Sequence, residues 1–572
     1  MKNGLLIVAD RRLPASWEKA LALEEAARRE GRSAVLRDAA ELEIPLDFIG
    51  HVGEAPFREA YLHILRSIYA VLGRFYEMAE IVAVPPLPDP VRHALSDVEG
   101  LRFRVEEAAP AAPAAEAAEP PAAFSSALVV AQDVMPHSTK TSEAILRACR
   151  ALGLPAVARD GSILRLMADI ESQFVADPEA AWAEARERVR GLYGATVREH
   201  ARPGGPGAAV LALDLNWFFD EALFLDDPAV SRIYSFWFDD PKAWCAYPNT
   251  CFPGALDRFQ AALRHPKVLH CCYGQGQREE LHALGITGTR LSYLAAAPEY
   301  LRHRAAPEVT ARASFIGNPG LRIPPTPQIL ALLERGAELP EIREEARRAA
   351  MAHAMVYLHK PLAKEPAVRA LLAQALVMRA AEPYVSATAL LVRAGRDYPG
   401  ALEAINEAGE ILNAAMFVKM TNQFDRPALV HRLWKAGLLD VYSAQGEWEK
   451  YGVKSAPDIP FPQLPAAYQR HACHLNGYNS LRDATANEKL FEIAACGRVS
   501  VNLLSPDVRH CYADGEVACA RSLEEAEAQV RRFLSDPGEA LEWGDRARRR
   551  TARQHLWTHR LRDLFAQEAG GR

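Results

Sequence analysis

Residues 487–504 read NEKLFEIAACGRVSVNLL and carry the clearest fold signal in the chain. The apolar run at 499–503 is a strand candidate, and the small residues Ala494, Ala495 and Gly497 belong to a helix before it. Other short apolar runs lie at 5–8, 127–131, 209–213, 231–238, 268–272, 290–294, 313–316, 438–442, 472–475 and 516–520. Helix-patterned segments separate most of these runs, an alternation typical of parallel, doubly wound sheets. The sequence therefore predicts an α/β protein.

An Ala/Pro-rich segment divides the chain. Residues 106–123, EEAAPAAPAAEAAEPPAA, contain repeated Pro and no apolar face, which predicts a linker. An accessory α/β unit, largely helix-patterned, precedes it at 1–105. Two parallel-sheet lobes are expected after it, at 124–308 and 309–566, and the second carries an Ala- and Leu-rich helical insertion at about 339–437. Because open parallel sheets bind ligands at the carboxyl ends of their strands, the cleft between the lobes is the expected site.

Composition narrows the class of protein. A chain of 572 residues is too long to fold around a single hydrophobic core. Its net charge of −6 argues against a general nucleic-acid binder, which is usually basic. The nine cysteines are scattered, mostly in apolar stretches, which is typical of buried thiols in a reducing compartment. No apolar stretch reaches the roughly 18 residues of a membrane span, and the N-terminal run is too short for a signal peptide. We expect a cytoplasmic protein without a metal site.

Several motifs occur in the order found in one family. The segment PAAYQRHACHLNGYNS at 465–480 is followed by NEKLFEIAACGRVSVNLL, by Asp514-Gly515-Glu516 and by HLWTHR at 555–560. Upstream lie SFWFDDP, SFIGNP and LLDVYSAQGEW. Together these segments resemble the CgeB-type glycosyltransferases over most of 124–566. The resemblance implies the two-lobed GT-B fold and a metal-independent, hexosyltransferase-like enzyme that needs no cofactor beyond its nucleotide-diphosphate sugar donor.

The same resemblance implies a donor site in the second lobe. Glu492, just ahead of the predicted helix, is expected to accept hydrogen bonds from both ribose hydroxyls. Lys489 stands where the family usually has Arg and is expected to face the diphosphate, with Arg482 as a second cation. The remaining donor-binding candidates are Gly317, Asn318 and Arg322. The alternatives are an ordinary helical Glu, a solvated Lys and a tight turn at the glycine.

Catalytic candidates lie in the first lobe. Asp239 and Asp240 follow a strand, where a carboxylate can act as general base on an acceptor hydroxyl, although Asp before Pro is also a common turn. His137, in the loop after the strand at 127–131, is a further candidate base. Related retaining enzymes often carry a Glu eight positions before the ribose carboxylate. That position is Ala484 here, which leaves the stereochemical outcome undetermined.

Sugar transfer to a glycan, protein or lipid-linked acceptor is the leading hypothesis. A sugar-nucleotide epimerase would use the same fold and donor without an acceptor. A noncatalytic scaffold derived from the fold would have lost its donor site, an idea that Ala484 modestly favours. The helical insertion is the predicted surface for a protein partner or for self-association.

Overall fold

The structure is a computed structural model. Apart from single positions within them, it describes residues 4–10, 13–39, most of 66–106, 124–131, 136–160, 207–213, 227–237, 263–302, 309–320, 324–477 and 486–570, together with isolated residues at 191, 194, 197, 198 and 225. The predicted fold class is confirmed, because the described part of the chain forms three parallel sheets surrounded by helices. No helix in these ranges is both long enough and apolar enough to span a bilayer.

The N-terminal unit is a four-stranded sheet. Its strands are β1 (Gly4–Ala9), β2 (Ala34–Asp38), β3 (Met78–Val84) and β4 (Arg102–Val105), and its helices are α1 (Pro14–Arg29) and α2 (Asp89–Ser96). The strands pair in parallel in the order β2-β1-β3-β4. The sequence predicts only the first of them. Charged residues lie within β2 and β4, and Glu80 interrupts the first half of β3, so these three strands were not identified within the predicted α/β unit.

The first lobe is built on a six-stranded parallel sheet. Its strands are β5 (Ala127–Ala131), β6 (Ala156–Asp160), β7 (Ala208–Leu213), β8 (Val230–Trp237), β9 (Val268–Cys272) and β10 (Thr289–Leu291), and its helices are α3 (Pro136–Ala151) and α4 (Gln275–Ala283). The spatial order is β10-β9-β8-β7-β5-β6. Every residue of β7 is buried, which explains why a central strand reads as an unbroken apolar run.

The second lobe contains a five-stranded parallel sheet. Its strands are β11 (Ala313–Ile316), β12 (Leu439–Tyr442), β13 (Cys473–Asn476), β14 (Val499–Leu503) and β15 (Ala518–Ala520). They lie in the order β12-β11-β13-β14-β15. The chain passes from β11 to β12 on one side and then returns to β13 on the other side of β11. The winding direction therefore reverses between β11 and β13, the position at which open sheets bind ligands.

Between β11 and β12 the chain is helical. This stretch contains α5 (Pro327–Arg335), α6 (Leu339–Tyr357), α7 (Lys360–Lys364), α8 (Pro366–Ala381), α9 (Ala387–Ala394), α10 (Pro399–Glu407), α11 (Ile411–Lys419) and α12 (Asp425–Lys435). A separate hydrophobic cluster, including Leu371, Leu372 and Ile405, forms the core of its middle part. The insertion thus has its own core.

The remaining helices follow β12. They are α13 (Leu464–Gln469), α14 (Glu488–Ala495), α15 (Pro506–Cys511), α16 (Leu523–Ser535), α17 (Pro537–Gln554) and α18 (Trp557–Gly570), and short 3₁₀ turns lie at Pro298–Arg302, Met420–Asn422, Glu449–Tyr451 and Phe461–Gln463.

The two lobes share one hydrophobic core. Phe124 and Tyr234 of the first lobe, Phe491 of the second and Trp557 of α18 belong to the same buried cluster. Trp557 lies edge-on to Phe236, with ring centroids 6.2 Å apart, so the C-terminal helix packs against the first lobe. The described cysteines are buried free thiols, as the sequence predicts.

The N-terminal unit is joined to the first lobe by ion pairs. Arg159 of β6 pairs with Asp38 of β2, and both side chains are 1% exposed. Arg28 of α1 lies 2.6 Å from the carboxylate of Glu143 on α3. Helix α3 therefore contacts the N-terminal unit as well as its own sheet.

Candidate functional site

The candidate site begins where the winding of the second lobe reverses. Strand β11 ends at Ile316 and is followed by Gly317, while β13 ends at Asn476 and is followed by Gly477. The two strands are parallel neighbours, so both glycines lie at the same edge of the sheet.

Gly317 occupies a position that a larger residue cannot fill. Its φ of +143° is a conformation that favours glycine, and an added Cβ would lie 2.6 Å from the Nζ atom of Lys489. Its carbonyl accepts a hydrogen bond of 2.9 Å from the indole nitrogen of Trp448. The backbone conformation therefore favours glycine here, and the missing side chain leaves room for the Lys489 ammonium.

The Lys489 side chain extends from α14 to the edge of the sheet at which β11 and β13 end. Its ammonium donates to the carbonyl of Ile316, and the side chain is partly buried. Burial, together with the positive charges of Arg426 and Lys140, lowers the pKa of Lys489 to about 8. The ammonium is thus held where its charge is poorly compensated, and an anion would stabilise it.

Arg426, on α12, is a second cation at this edge that the sequence analysis did not identify. Its guanidinium donates to the carbonyl of Asn318 at 3.0 Å and to that of Gly477 at 2.9 Å, so it bridges the loops after both strands. The centroid of the Phe315 ring lies 6.0 Å from the Arg426 Cζ atom and 6.0 Å from the Lys489 Nζ atom. No local pattern marks Arg426, because only the return of α12 from the insertion brings it here.

Glu492 lies within a helix rather than just ahead of one, which corrects the sequence prediction. Helix α14 begins at Glu488, because the Asn487 side chain caps it by accepting a hydrogen bond from the Leu490 amide at 3.3 Å. Glu492 follows Lys489 by three positions, so both side chains lie on the same side of the helix.

The carboxylate of Glu492 faces the first lobe. It is 2% exposed, and its Oε1 atom lies 2.6 Å from the Nζ atom of Lys140 on α3. The hydroxyl of Tyr468 donates to Oε2 at 3.3 Å. The Lys140 ammonium also lies 3.1 Å from Glu488. Glu492 is therefore at the boundary of the two lobes, as a donor-site residue should be, but it is paired with a lysine.

The charges in this cluster influence one another. Burial alone would lower the pKa of Lys140, but Glu488 and Glu492 outweigh burial and raise this pKa. Burial raises the pKa of Glu488, and the negative charge of Glu492 raises it further, against the opposing effect of Lys140. The ammonium of Lys140 is thus charged and shared between two carboxylates.

Three further polar contacts join the lobes. Asp507 on α15 accepts from the Gln275 amide at 3.1 Å and from the Tyr293 hydroxyl at 3.0 Å. In the helical insertion, the Thr388 hydroxyl donates to Glu280 on α4 at 3.1 Å. These contacts hold the lobes against each other around the cluster of Lys140, Glu488 and Glu492.

One buried acceptor at this edge has no partner among the described residues. The Asn476 side chain donates to Asn502 at 2.8 Å, but its own Oδ1 atom accepts no hydrogen bond within the described chain. The site therefore combines two cations, a carboxylate and an amide oxygen. Such a set suits a ligand that carries a phosphate group next to hydroxyls.

Several predicted site residues lie outside the described residues: Asp239, Asp240, Arg322 and Arg482. His137 lies in the first turn of α3 and not in a loop, because the helix already begins at Pro136, a residue favoured at the first helical position. Nothing is described of its side chain. Asn318 contributes its backbone carbonyl, and its side chain is exposed.

The shifted pKa of Lys489 gives a pH-dependent prediction. Inorganic pyrophosphate should bind the protonated ammonium, so its dissociation constant should increase as the pH rises above about 8, by up to about tenfold per pH unit. The free energy of unfolding should increase over the same pH range in which the affinity for pyrophosphate falls. Because the unfolded chain keeps the ordinary lysine pKa, it binds more protons above pH 8, and stability should rise there.

The control is Lys489→Arg, which stays charged throughout this range. Isothermal titration calorimetry of both proteins from pH 6.5 to 9.5 gives a ratio of dissociation constants in which the titration of pyrophosphate itself cancels. A ratio that does not change with pH would show that Lys489 does not hold the anion.

Comparison with known proteins gives a match in the second lobe. A family described as glycosyl transferase-like matches residues 425–566, the segment that carries Arg426, Lys489 and Glu492. The structure is similar to sucrose-phosphate synthase from Thermosynechococcus elongatus, with a TM-score of 0.38 and 10% identity over 78% of this chain and 100% of that one. No curated protein matches the chain significantly. Residues 425–566 of the second lobe are thus similar to a glycosyl transferase-like family.

Proposed function

We propose that the protein is a metal-independent glycosyltransferase that moves a sugar from a nucleoside-diphosphate sugar to an acceptor hydroxyl. The observation that carries the proposal is the placement of Lys489 and Arg426 at the winding reversal of the second lobe, with Glu492 on the same helix as Lys489. The diphosphate would lie against the two cations and the ribose against the carboxylate. This assignment agrees with the glycosyl transferase-like match over the same residues.

The charges provide a chemical role. Transfer of the sugar leaves a nucleoside diphosphate whose negative charge must be stabilised as the bond to the sugar breaks. An ammonium with a lowered pKa and a guanidinium fixed by two carbonyls are already oriented for that task. We therefore assign stabilisation of the leaving group to Lys489 and Arg426, with no metal required in the step.

The finer assignments follow from the sequence resemblance. We propose a CgeB-like, hexosyltransferase-like enzyme whose acceptor base is one of Asp239, Asp240 and His137, and whose acceptor is a glycan, protein or lipid-linked hydroxyl. The helical insertion, with its own core, is the proposed surface for a protein partner or for self-association. The buried free thiols favour a reducing compartment, so the cytoplasm is the proposed location.

A nucleotide screen tests this proposal. UDP, GDP, ADP and CDP are added separately to the full chain, and the unfolding temperature is measured. A ligand present at 100 times its dissociation constant should add about 2.7 kcal/mol of stability. We expect one or two bases to stabilise the protein strongly. If neither these nucleotides nor pyrophosphate stabilises it at millimolar concentration, the donor site is wrong and a noncatalytic scaffold becomes the better description.

A second assay separates the two enzymatic hypotheses. The sugar nucleotide that corresponds to the preferred base is incubated with the protein, and free nucleoside diphosphate is measured. Release of the diphosphate, slow with water and faster with an acceptor, supports a transferase. Conversion of the sugar without net release indicates an epimerase.

A further inference from the structure

Lys140 is the residue that covers the proposed ribose carboxylate. Its ammonium comes from the first lobe, lies 2.6 Å from Glu492 and 3.1 Å from Glu488, and is 15% exposed. The two carboxylates are not equivalent, because Glu492 is 2% exposed and Glu488 is 19% exposed. The more deeply buried carboxylate is therefore the one that Lys140 neutralises at the shorter distance.

The ribose and this ammonium need the same acceptor. A buried carboxylate is costly without a partner, so Glu492 must keep a cation or a set of hydrogen-bond donors in every state of the protein. Vicinal hydroxyls supply two neutral donors to one carboxylate, but they do not supply a positive charge. A ribose can therefore take the place of Lys140 as the hydrogen-bond partner of Glu492, and an ammonium that stays nearby lowers the cost of the exchange in the unmodified protein.

Glu488 is the carboxylate that can keep the Lys140 ammonium close to Glu492. Lys140 already contacts Glu488, and the Thr141 hydroxyl on the same helix donates to Glu488 at 3.3 Å. Helix α3 would therefore remain attached to α14 through Glu488 after the contact with Glu492 broke. The rest of the boundary between the lobes, including the contacts of Asp507, would need no rearrangement.

We propose that Lys140 is a placeholder for the donor ribose, which takes Glu492 from it while the ammonium stays paired with Glu488. This inference rests on the proposed function, since it assumes a nucleoside diphosphate at the site. It makes Lys140 a residue that sets affinity and favours ribose over deoxyribose, because only the vicinal diol offers the carboxylate two donors in exchange for the ammonium.

Two substitutions should act in opposite directions. Lys140→Met removes the competitor, so the nucleoside diphosphate preferred in the screen should bind about fivefold tighter. Glu488→Gln removes the alternative partner of the ammonium, so Lys140 should hold Glu492 more strongly and the same ligand should bind about fivefold more weakly. Calorimetry gives each dissociation constant, and each is divided by that of inorganic pyrophosphate to remove general effects of charge.

The 2′-deoxy form of the same nucleotide distinguishes this role from a structural one. In Lys140→Met, the affinity of the 2′-deoxy nucleotide should increase by less than half as much as the affinity of the ribonucleotide, because the deoxyribose offers one donor fewer to Glu492. Lys140→Met leaves two buried carboxylates facing each other and could reduce folding. The double variant Lys140→Met with Glu488→Gln loses one charge of each sign, and it should bind the ribonucleotide more tightly than Glu488→Gln alone.

The outcomes separate the inference from the proposed function. If the unmodified protein binds neither pyrophosphate nor any nucleotide, the donor site itself is wrong and the inference falls with it. If the protein binds a nucleotide but removal of Lys140 leaves the normalised affinity unchanged or lowers it, the donor site stands and the placeholder is refuted. Equal gains for ribose and deoxyribose would also refute it.

Discussion

Lys489→Met should weaken the binding of nucleoside diphosphate and pyrophosphate alike, by about 2 to 4 kcal/mol, or roughly 30- to 1000-fold. The ammonium lies at the carboxyl end of β11, and its lowered pKa shows that its charge is poorly balanced by the protein alone. A bound diphosphate supplies the missing negative charge. Met has a similar length but no charge, so the anion would lose this partner while the packing of α14 is kept.

The same substitution should not destabilise the fold. Burial disfavours the charged form of Lys489, so replacing it by an apolar side chain removes a cost of folding. Calorimetry with pyrophosphate measures the loss of affinity, and thermal unfolding measures stability. Lys435→Met is the matched control, because Lys435 belongs to the same lobe, is 48% exposed and pairs with Glu334. Equal losses of affinity in the two variants would show that Lys489 acts only through its general electrostatic effect and not through contact with the anion.

Glu492→Ala should weaken the binding of a nucleoside diphosphate without weakening the binding of pyrophosphate. We expect binding of the preferred nucleoside diphosphate to weaken about 10- to 100-fold, since each hydrogen bond to a charged group contributes about 1.5 to 3 kcal/mol. Pyrophosphate, which has no ribose, should bind about as well as it does to the unmodified protein. The loss is smaller than for Lys489 because Lys140 competes for the carboxylate in the unmodified protein.

Glu516→Ala is the control for Glu492→Ala. Glu516 is also a mostly buried carboxylate of the second lobe, but it accepts from the Ala513 amide and pairs with Arg550 of α17. Its loss should lower stability without changing nucleotide affinity. If Glu492→Ala binds the nucleotide as tightly as the unmodified protein does, the carboxylate holds the lobes together and has no part in donor binding.

Most strands of the two lobes, though not the edge strand β6, were predicted from the sequence, because the central strands are buried on both faces. The runs at 127–131, 268–272 and 499–503 coincide with β5, β9 and β14, since central parallel strands are buried on both faces and are therefore mostly apolar. The same reasoning fails for β4, whose residues Arg102–Val105 alternate between charged and apolar side chains at an edge of its sheet. Edge strands lack the continuous burial that the sequence signal depends on.

In the candidate site, the sequence identifies the residues that share one short segment. Lys489 and Glu492 are three positions apart, and a helix necessarily places them on one side. The exact start of that helix was missed, because the capping by Asn487 is a local hydrogen bond that overrides the expectation drawn from the small residues after Glu492.

The sequence by itself determined that this is an α/β protein with two parallel-sheet lobes, and it placed Lys489 and Glu492 together in one short segment ahead of a predicted helix. Both features depend on the burial and periodicity of neighbouring residues, which can be read along the chain. Only the tertiary structure showed that Arg426 joins Lys489 and that Lys140, 352 residues away from Glu492, covers its carboxylate. A contact between distant segments depends on how the sheets and the insertion pack against each other, and no local pattern records that packing.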